Sequence, residues 1–335
     1  MTQDNLEEQE FTELAAKHFK AGPPSLYADD IRGKLFEFYD DGLKFALVTL
    51  VNVEGSSPRP VGSQMVVSET GEFSGLLSGG CIEPAALIEA KQAIHSGEWK
   101  RIRYGKHSDY MDLKLPCGSG IDILIVPVVM SLEDKIWIAK LKQATDKRQT
   151  VTLVFDTKRQ ACDIALSDRY AEYVLDSNQH LSRSELETVY RFPKIYVPKH
   201  RLAIFGQGPI FDVFCLFAQH VEFEINALSK PYDLKVIENL GLDKFSSVVL
   251  LDHDHEHEIP LICKLIATPV SYMAALGSKN THQNRLDLLA MEGLSKTDLS
   301  RLKGPAGLDI GGQSPQEIAL SILAEIVAFK NNKVF

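Results

Sequence analysis

Leu202-Ala203-Ile204-Phe205-Gly206-Gln207-Gly208-Pro209 is the stretch whose reading decides the fold class. A short apolar run stops at a glycine, and a second glycine follows two positions later. A proline then stands where a helix has no use for its first N–H. Beyond it Val213, Phe214, Leu216 and Phe217 recur at helical spacing, and residues 223–228 read as a second short strand. Residues 247–251 give another strand, followed by apolar segments at 261–266 and 270–276 and a helix over 281–291. Strand alternating with helix implies a parallel sheet covered on both faces. The last helix announces itself with Ser314-Pro315-Gln316-Glu317, a capping box with proline in the first turn.

Upstream the pattern is less regular. Residues 45–53 form an apolar, β-branched strand, and 64–68 and 72–77 flank Glu69-Thr70-Gly71 as a hairpin. A helix is expected over 27–39, another from Glu83-Pro84 to Ser96-Gly97, and a third over 132–145. A strand is expected at 121–129, with a strand pair at 151–155 and 161–166. Mixed strands and helices without βα alternation point to α+β. The whole chain therefore reads as α/β, with residues 1–26 a polar tail or short leading helix. An α+β domain is expected at 27–195 and a parallel-sheet domain at 196–335, joined between Phe192 and His200 where Pro193 and Pro198 bracket the boundary.

Composition narrows the function. The 335 residues are 44% hydrophobic and 24% charged, enough for two cores. A net charge of -9 without any Lys/Arg block argues against nucleic-acid binding, which needs a basic face. No apolar stretch approaches the ~20 residues of a membrane span, and residues 1–10 carry neither the basic patch nor the apolar run of a secretory signal. The five cysteines, Cys81, Cys117, Cys162, Cys215 and Cys263, are odd in number and scattered. They suggest neither a disulfide framework nor a zinc site, so a reduced cytoplasm is the expected location.

Chemistry concentrates in three small-residue loops: Gly55-Ser56-Ser57-Pro58-Arg59-Pro60-Val61-Gly62, Gly75-Leu76-Leu77-Ser78-Gly79-Gly80-Cys81-Ile82-Glu83-Pro84 and Leu115-Pro116-Cys117-Gly118-Ser119-Gly120. Unpaired N–H groups at a helix start bind anions. A thiolate is stabilised there, as nucleophile or soft-metal ligand, and Arg59 offers a planar fork to phosphate or a pterin edge. The plainer alternative is a tight turn around a small packed cysteine. Cys162, Cys215 and Cys263 lie in apolar contexts and read as packing residues.

In the second half, Gly206-Gln207-Gly208 has the context of a dinucleotide turn. The third glycine position is Phe211, however, and the next strand ends Asn226-Ala227-Leu228-Ser229 with no carboxylate for a ribose. Asp252-His253-Asp254-His255-Glu256-His257-Glu258 puts three histidines on one side if extended, as a metal site or a solvated polar loop. Gly277-Ser278-Lys279-Asn280-Thr281-His282, ahead of Arg285, is a helix start suited to an anion. Gly307-Leu308-Asp309-Ile310-Gly311-Gly312 reads equally as a ligand loop or a turn feeding the last helix.

Taken together these motifs resemble the XdhC/CoxI family of xanthine dehydrogenase accessory proteins, from about Tyr27 onward. The resemblance is carried by Gly55–Pro60, Ser78–Glu83 and Cys117-Gly118, then by Ala275–His282, Gly307–Gly311 and Pro315-Gln316-Glu317-Ile318-Ala319. It implies a family-specific first domain and a Rossmann-like second one. It also implies a chaperone without turnover of its own, which protects the sulfurated molybdenum cofactor, in its molybdopterin form, and delivers it to a hydroxylase such as xanthine dehydrogenase. A cysteine desulfurase is the further partner it implies, and a homodimer is the expected assembly. Cys81 and Cys117 then fall near the molybdenum end. Ser57, Arg59, Ser78, Gly79, Gly80, Glu83 and Gly118 fall around the pterin and phosphate, and Gly206, Gly208, Ser278, Lys279, His282 and Asp309 are the second-domain candidates. Gly206-Gln207-Gly208-Pro209 departs from the family's usual Gly-Ala-Gly-His, and the missing acid also weighs against NAD(P). The rival readings are an NAD(P)-dependent oxidoreductase using the second domain and a cofactor-free scaffold for the desulfurase.

Overall fold

The computed structural model of the chain describes residues 28–108, 118–166, 183–232, 234–252 and 255–331. The expected N-terminal tail, Cys117 and His253 lie outside them. The chain divides into two compact units at the Pro198–Lys199 bond.

The first unit is built on a five-stranded antiparallel sheet, β3-β2-β1-β5-β4, comprising β1 (Phe45–Glu54), β2 (Gln64–Ser68), β3 (Phe73–Gly75), β4 (Lys100–Gly105) and β5 (Gly120–Val128). Helix α1 (Arg32–Asp40) precedes it, α2 (Glu83–Ser96) links β3 to β4, and α3 (Leu132–Asp146) follows β5. Strand β1 is buried on both faces, which is why it reads as a continuous apolar run rather than an alternating one. Ala46, Val48 and Leu50 pack under α2 with Leu87, Ala90 and Ile94. Phe45, Leu47 and Val51 face the opposite core, with Leu35, Phe38, Trp137 and Leu141. A register shift between Leu50 and Asn52 swaps the parity, so Val53 returns to the α2 side.

A second antiparallel sheet, β7-β6-β8, combines β6 (Val151–Asp156), β7 (Ala161–Ala165) and β8 (Arg191–Tyr196), with the short α4 (Arg183–Thr188) before β8. Pro193 lies inside β8, an edge strand, where a missing N–H breaks no ladder. The sequence reading did not foresee β4 or β8. Ile102 and Tyr104 alternate with Arg101 and Arg103, a half-buried signature masked by its charges.

The second unit is a parallel sheet, β10-β9-β11-β12-β13: β9 (Arg201–Gly206), β10 (Glu224–Leu228), β11 (Ser246–Leu251), β12 (Tyr272–Ala275) and β13 (Leu302–Lys303). Helices α5 (Pro209–Ala218) and α10 (Pro315–Lys330) cover one face. Helix α7 (His255–Ile266), α8 (Lys279–Met291) and the single turn α6 (Val236–Asn239) cover the other, and a further turn, α9 (Lys296–Leu299), precedes β13. This confirms the α/β reading, with an antiparallel first unit and a doubly wound parallel second. Winding reverses between β9 and β11, whose carboxyl ends meet at Gly206 and Leu251. A side chain at Gly206 would come within 2.9 Å of Leu251 Cβ, so only glycine lets the strands close there.

Candidate functional site

Two glycines and a serine bring the first two sequence-marked loops of the first unit, and the Gly118–Gly120 end of the third, to one end of its large sheet. Gly55 has φ +97, and a Cβ there would approach Ser119 Oγ to 2.9 Å. That hydroxyl receives the Ser56 N–H at 3.0 Å and donates to Ser56 O at 2.6 Å, stitching residues 55–57 to the Gly118-Ser119 turn. A Cβ on Gly79 would lie 3.6 Å from Pro58 Cγ, so the Ser78–Cys81 turn lies against the same loop. The floor beneath is charged. Asp122 accepts from Asn52 (2.9 Å) and Arg103 (2.7 Å), while Glu54 pairs with Arg103 and with Lys106 (2.8 Å). Burial raises the Asp122 carboxyl above its usual range despite Asn52 and Arg103, whereas the Lys106 hydrogen bond holds Glu54 below it. No motif signals this cluster, since its members are scattered over 70 positions.

The start of α2 refines the anion argument. Glu83, fully buried, folds its carboxylate back into the turn. It accepts from Leu77 N (3.0 Å), Ser78 N (2.6 Å), Ser78 Oγ (2.8 Å) and Ile82 N (3.1 Å). The negative charge that this helix start favours is thus supplied by the chain itself. Ser78 and Glu83 shape the turn from within. The turn leaves Gly79 and Cys81 exposed and Gly80 half-buried, with φ +100. Among the described residues, no acceptor meets the N–H groups of Gly79, Gly80 or Cys81.

Arg59 borders this turn through the loop it shares with Pro58. Its Nη2 pairs with Asp29, its N–H donates to Ser57 Oγ at 3.2 Å, and its Nε is buried without a partner. Gly118 is exposed with φ +67, and its neighbour Cys117 lies outside the described residues. An exposed thiol and three uncommitted amides, bordered by the Arg59 guanidinium, together suit an anionic guest with a soft, metal-bearing end.

The second-unit candidates lie along the carboxyl edge of the parallel sheet, in the segments that follow β9, β12 and β13, with Ala306 N–H donating to Ala275 O between two of them. Gly206 and Gly208 lie at the switch point, where open α/β sheets bind ligands. Strand β10 ends at Leu228 without an acid, and Lys230 beyond it pairs with Asp252 at 2.6 Å. Ser278 caps α8 through its own hydroxyl, accepting from Thr281 N at 3.1 Å, while Lys279 and Asp309 are exposed. His282 packs its ring against Gly304, with Nδ1 buried and unpartnered, and burial beside Arg285 lowers its basicity. The histidine run is corrected by the fold. Helix α7 begins at His255, so residues two apart there do not share a side, and no metal-holding cluster occurs among the described residues. Cys162 and Cys215 behave as packing residues, with burial pushing the Cys215 thiol up to about 11 and Cys162 higher still. No described helix is long and apolar enough to cross a membrane.

Comparison with known proteins agrees with this architecture. The chain is 29% identical over 318 residues to the molybdenum cofactor insertion chaperone PaoD of Escherichia coli K12, covering 94% of this chain and 93% of that protein. It is 24% identical over 321 residues to a Bacillus subtilis 168 protein named as a probable xanthine dehydrogenase subunit, covering 86% and 94%. A crystal structure described as a xanthine dehydrogenase from Bacillus halodurans shares the fold, with a TM-score of 0.71 at 22% identity, over 90% of this chain and 96% of that one. The XdhC and CoxI family model matches residues 39–105, which carry two of the three loops, and the XdhC Rossmann domain model matches 202–326. With both halves matched in order, the chain belongs to the XdhC/CoxI family.

Proposed function

We propose that this protein is a molybdenum-cofactor chaperone serving a hydroxylase of the xanthine dehydrogenase type. The observation that carries the reading is an exposed Cys81 flanked by uncommitted amides, on a turn that lies against the 55–60 loop, which is itself stitched to Ser119. The E. coli relative named as a cofactor insertion chaperone supports it. In this reading the pterin phosphate lies on the Gly79–Cys81 amides, and Arg59 turns its guanidinium from Asp29 to the guest. Cys81, with Cys117, faces the molybdenum–sulfur end of the cargo. Glu83, Ser78 and Ser57 hold the loops in shape rather than touch the guest. Protection of a sulfurated cofactor, handover from a cysteine desulfurase, a homodimer and a cytoplasmic location complete the proposal.

The test is to purify the protein from cells that make molybdopterin, oxidise it, and assay the fluorescent pterin. Pterin should co-purify with wild type and be lost from Cys81→Ala, whose melting temperature should not move because the side chain is exposed. A second reading, an NAD(P)-dependent oxidoreductase, draws on the switch point at Gly206 and Leu251. Absence of pterin even with added cofactor, together with micromolar binding of a nicotinamide dinucleotide, would replace the first reading by the second.

A further inference from the structure

A cleft of about 190 Å³ opens in the first unit between β1, the end of the 55–63 loop and the edge strand β8. Its lining is of two kinds. Leu50, Val51, Val61, Phe192 and Ile195 supply apolar wall, whereas Thr49 and Lys194 bring polar groups to it. Nothing in the cofactor proposal uses this cleft.

Lys194 is held there as an ammonium. Its Nζ donates to Gly62 O at 2.7 Å and lies 5.5 Å from the centre of the Tyr196 ring. Neither partner is an anion. The acids that face it are engaged elsewhere, Asp30 with Arg32 at 2.6 Å and Asp29 with Arg59. Two acids thus meet three cations, and among the described residues no carboxylate pairs with Lys194. An ammonium has three N–H donors, so two remain once Gly62 O is served.

Thr49 offers a further donor. Tyr196 Oη donates to Gln64 Oε1 at 2.6 Å, and Gln64 Nε2 donates to Thr49 Oγ1 at 2.9 Å. The chain of bonds runs one way and ends on Thr49, whose own hydroxyl hydrogen meets no acceptor among the described residues.

We propose that this cleft binds small monocarboxylic acids, with the carboxylate on Lys194 and Thr49 and an apolar or aromatic tail along Leu50, Val61 and Phe192. Each half of such a ligand answers a need of the site. The carboxylate supplies the counter-charge that a half-buried ammonium lacks, through charge-assisted hydrogen bonds. The tail displaces water from the apolar wall, and a cavity of about 150 Å³ already admits benzene. Drug-sized ligands need pockets of about 300 Å³ or more, so the cleft selects small acids. Inorganic anions leave the apolar wall uncovered.

The test is calorimetric titration of the intact protein at neutral pH with benzoate as the probe. Benzoate should bind in the millimolar range or tighter, which is what so few atoms can yield. Benzamide, of the same shape without the charge, should bind at least about tenfold more weakly. Lys194→Met keeps an apolar stem and should abolish benzoate binding, while Thr49→Val should weaken it severalfold. Burial brings the ammonium down to about 8, so benzoate affinity should fall about tenfold per pH unit above that value. If chloride displaces benzoate as well as butyrate does, the tail contributes nothing and the site is one for an adventitious anion only. If benzamide matches benzoate, if Lys194→Met still binds, or if benzoate does not bind, the proposal fails and the lysine is only a latch on Gly62. The benzoate–benzamide comparison needs no variant, so it decides the matter whatever the stability of Lys194→Met. None of these outcomes bears on whether pterin binds at Cys81.

Discussion

Replacing Glu83 with glutamine tests the claim that the helix start is neutralised from within. The carboxylate is fully buried and serves four donors, three of them backbone N–H groups. Glutamine preserves the shape and one accepting oxygen, so Leu77 N and Ser78 N can keep neutral hydrogen bonds in place of charge-assisted ones. The amide nitrogen then faces Ile82 N, where donor meets donor. An orphaned buried N–H costs about 1–3 kcal/mol, and each downgrade from charged to neutral partner costs roughly 1 kcal/mol. Relief from burying a charge offsets part of this, leaving a net loss of about 3 kcal/mol. Trp99 and Trp137, the chain's two tryptophans, both lie in the first unit, so tryptophan fluorescence in urea follows that unit alone. With a slope of about 2 kcal/mol per molar, the midpoint should fall by roughly 1.5 M at unchanged slope. Glu83→Ala should fall at least as far and recover in part with added phosphate, because the vacated turn accepts an anion and binding stabilises the folded state. A Glu83→Gln midpoint within ~0.25 M of wild type would refute the argument that the carboxylate satisfies those amides.

Lys194 gives the opposite pH signature to most buried acids. Its ammonium sits near 8 in the folded chain against the ordinary 10.5, so between those values the unfolded chain holds a proton that the folded one lacks, and stability rises with pH. The gain reaches about 3 kcal/mol by pH 10.5, and urea titrations of wild type and Lys194→Met should diverge over that window and run parallel below pH 7. Gly75 has φ +101, and a Cβ there would overlap the Gln64 carbonyl and the Ile31 side chain. Gly75→Ala should therefore cost about 3 kcal/mol or more by the same fluorescence assay, while Gly80→Ala, with open space around it, should cost about 1. In the second unit the fully buried Arg285 pairs with Glu258 at 2.9 Å. Arg285→Leu alone should lose about 3–5 kcal/mol in circular-dichroism melts, and adding Glu258→Leu should restore much of it, because an unpaired buried charge is worse than none.

Much of the fold was legible in the sequence. Ser314-Pro315-Gln316-Glu317 predicted α10, and the capping box is present with Ser314 Oγ and Glu317 in both expected hydrogen bonds. The turn at Glu69-Thr70-Gly71 predicted the β2–β3 hairpin, and strand–helix alternation after residue 200 predicted the parallel sheet. These signals are local: a cap, a turn and a hydrophobic period involve neighbours a few positions apart. Strand β4 was legible in principle but hidden, because Arg101 and Arg103 on its polar side outweighed Ile102 and Tyr104 on the buried one.

Residue order alone, then, determined most of the kinds of element and where the glycine-rich loops would fall. Tertiary structure decided what those loops contain. A carboxylate beside Gly79-Gly80-Cys81 looks the same on paper whether it reaches toward solvent or folds inward, and only full burial in the folded chain commits Glu83 to Leu77, Ser78 and Ile82. Ser56 meets Ser119 across 63 positions because the β1–β5 register, reset by the shift at Leu50/Asn52, brings their loops to the same end of the sheet. Register is a property of paired strands, and no single stretch of chain encodes it.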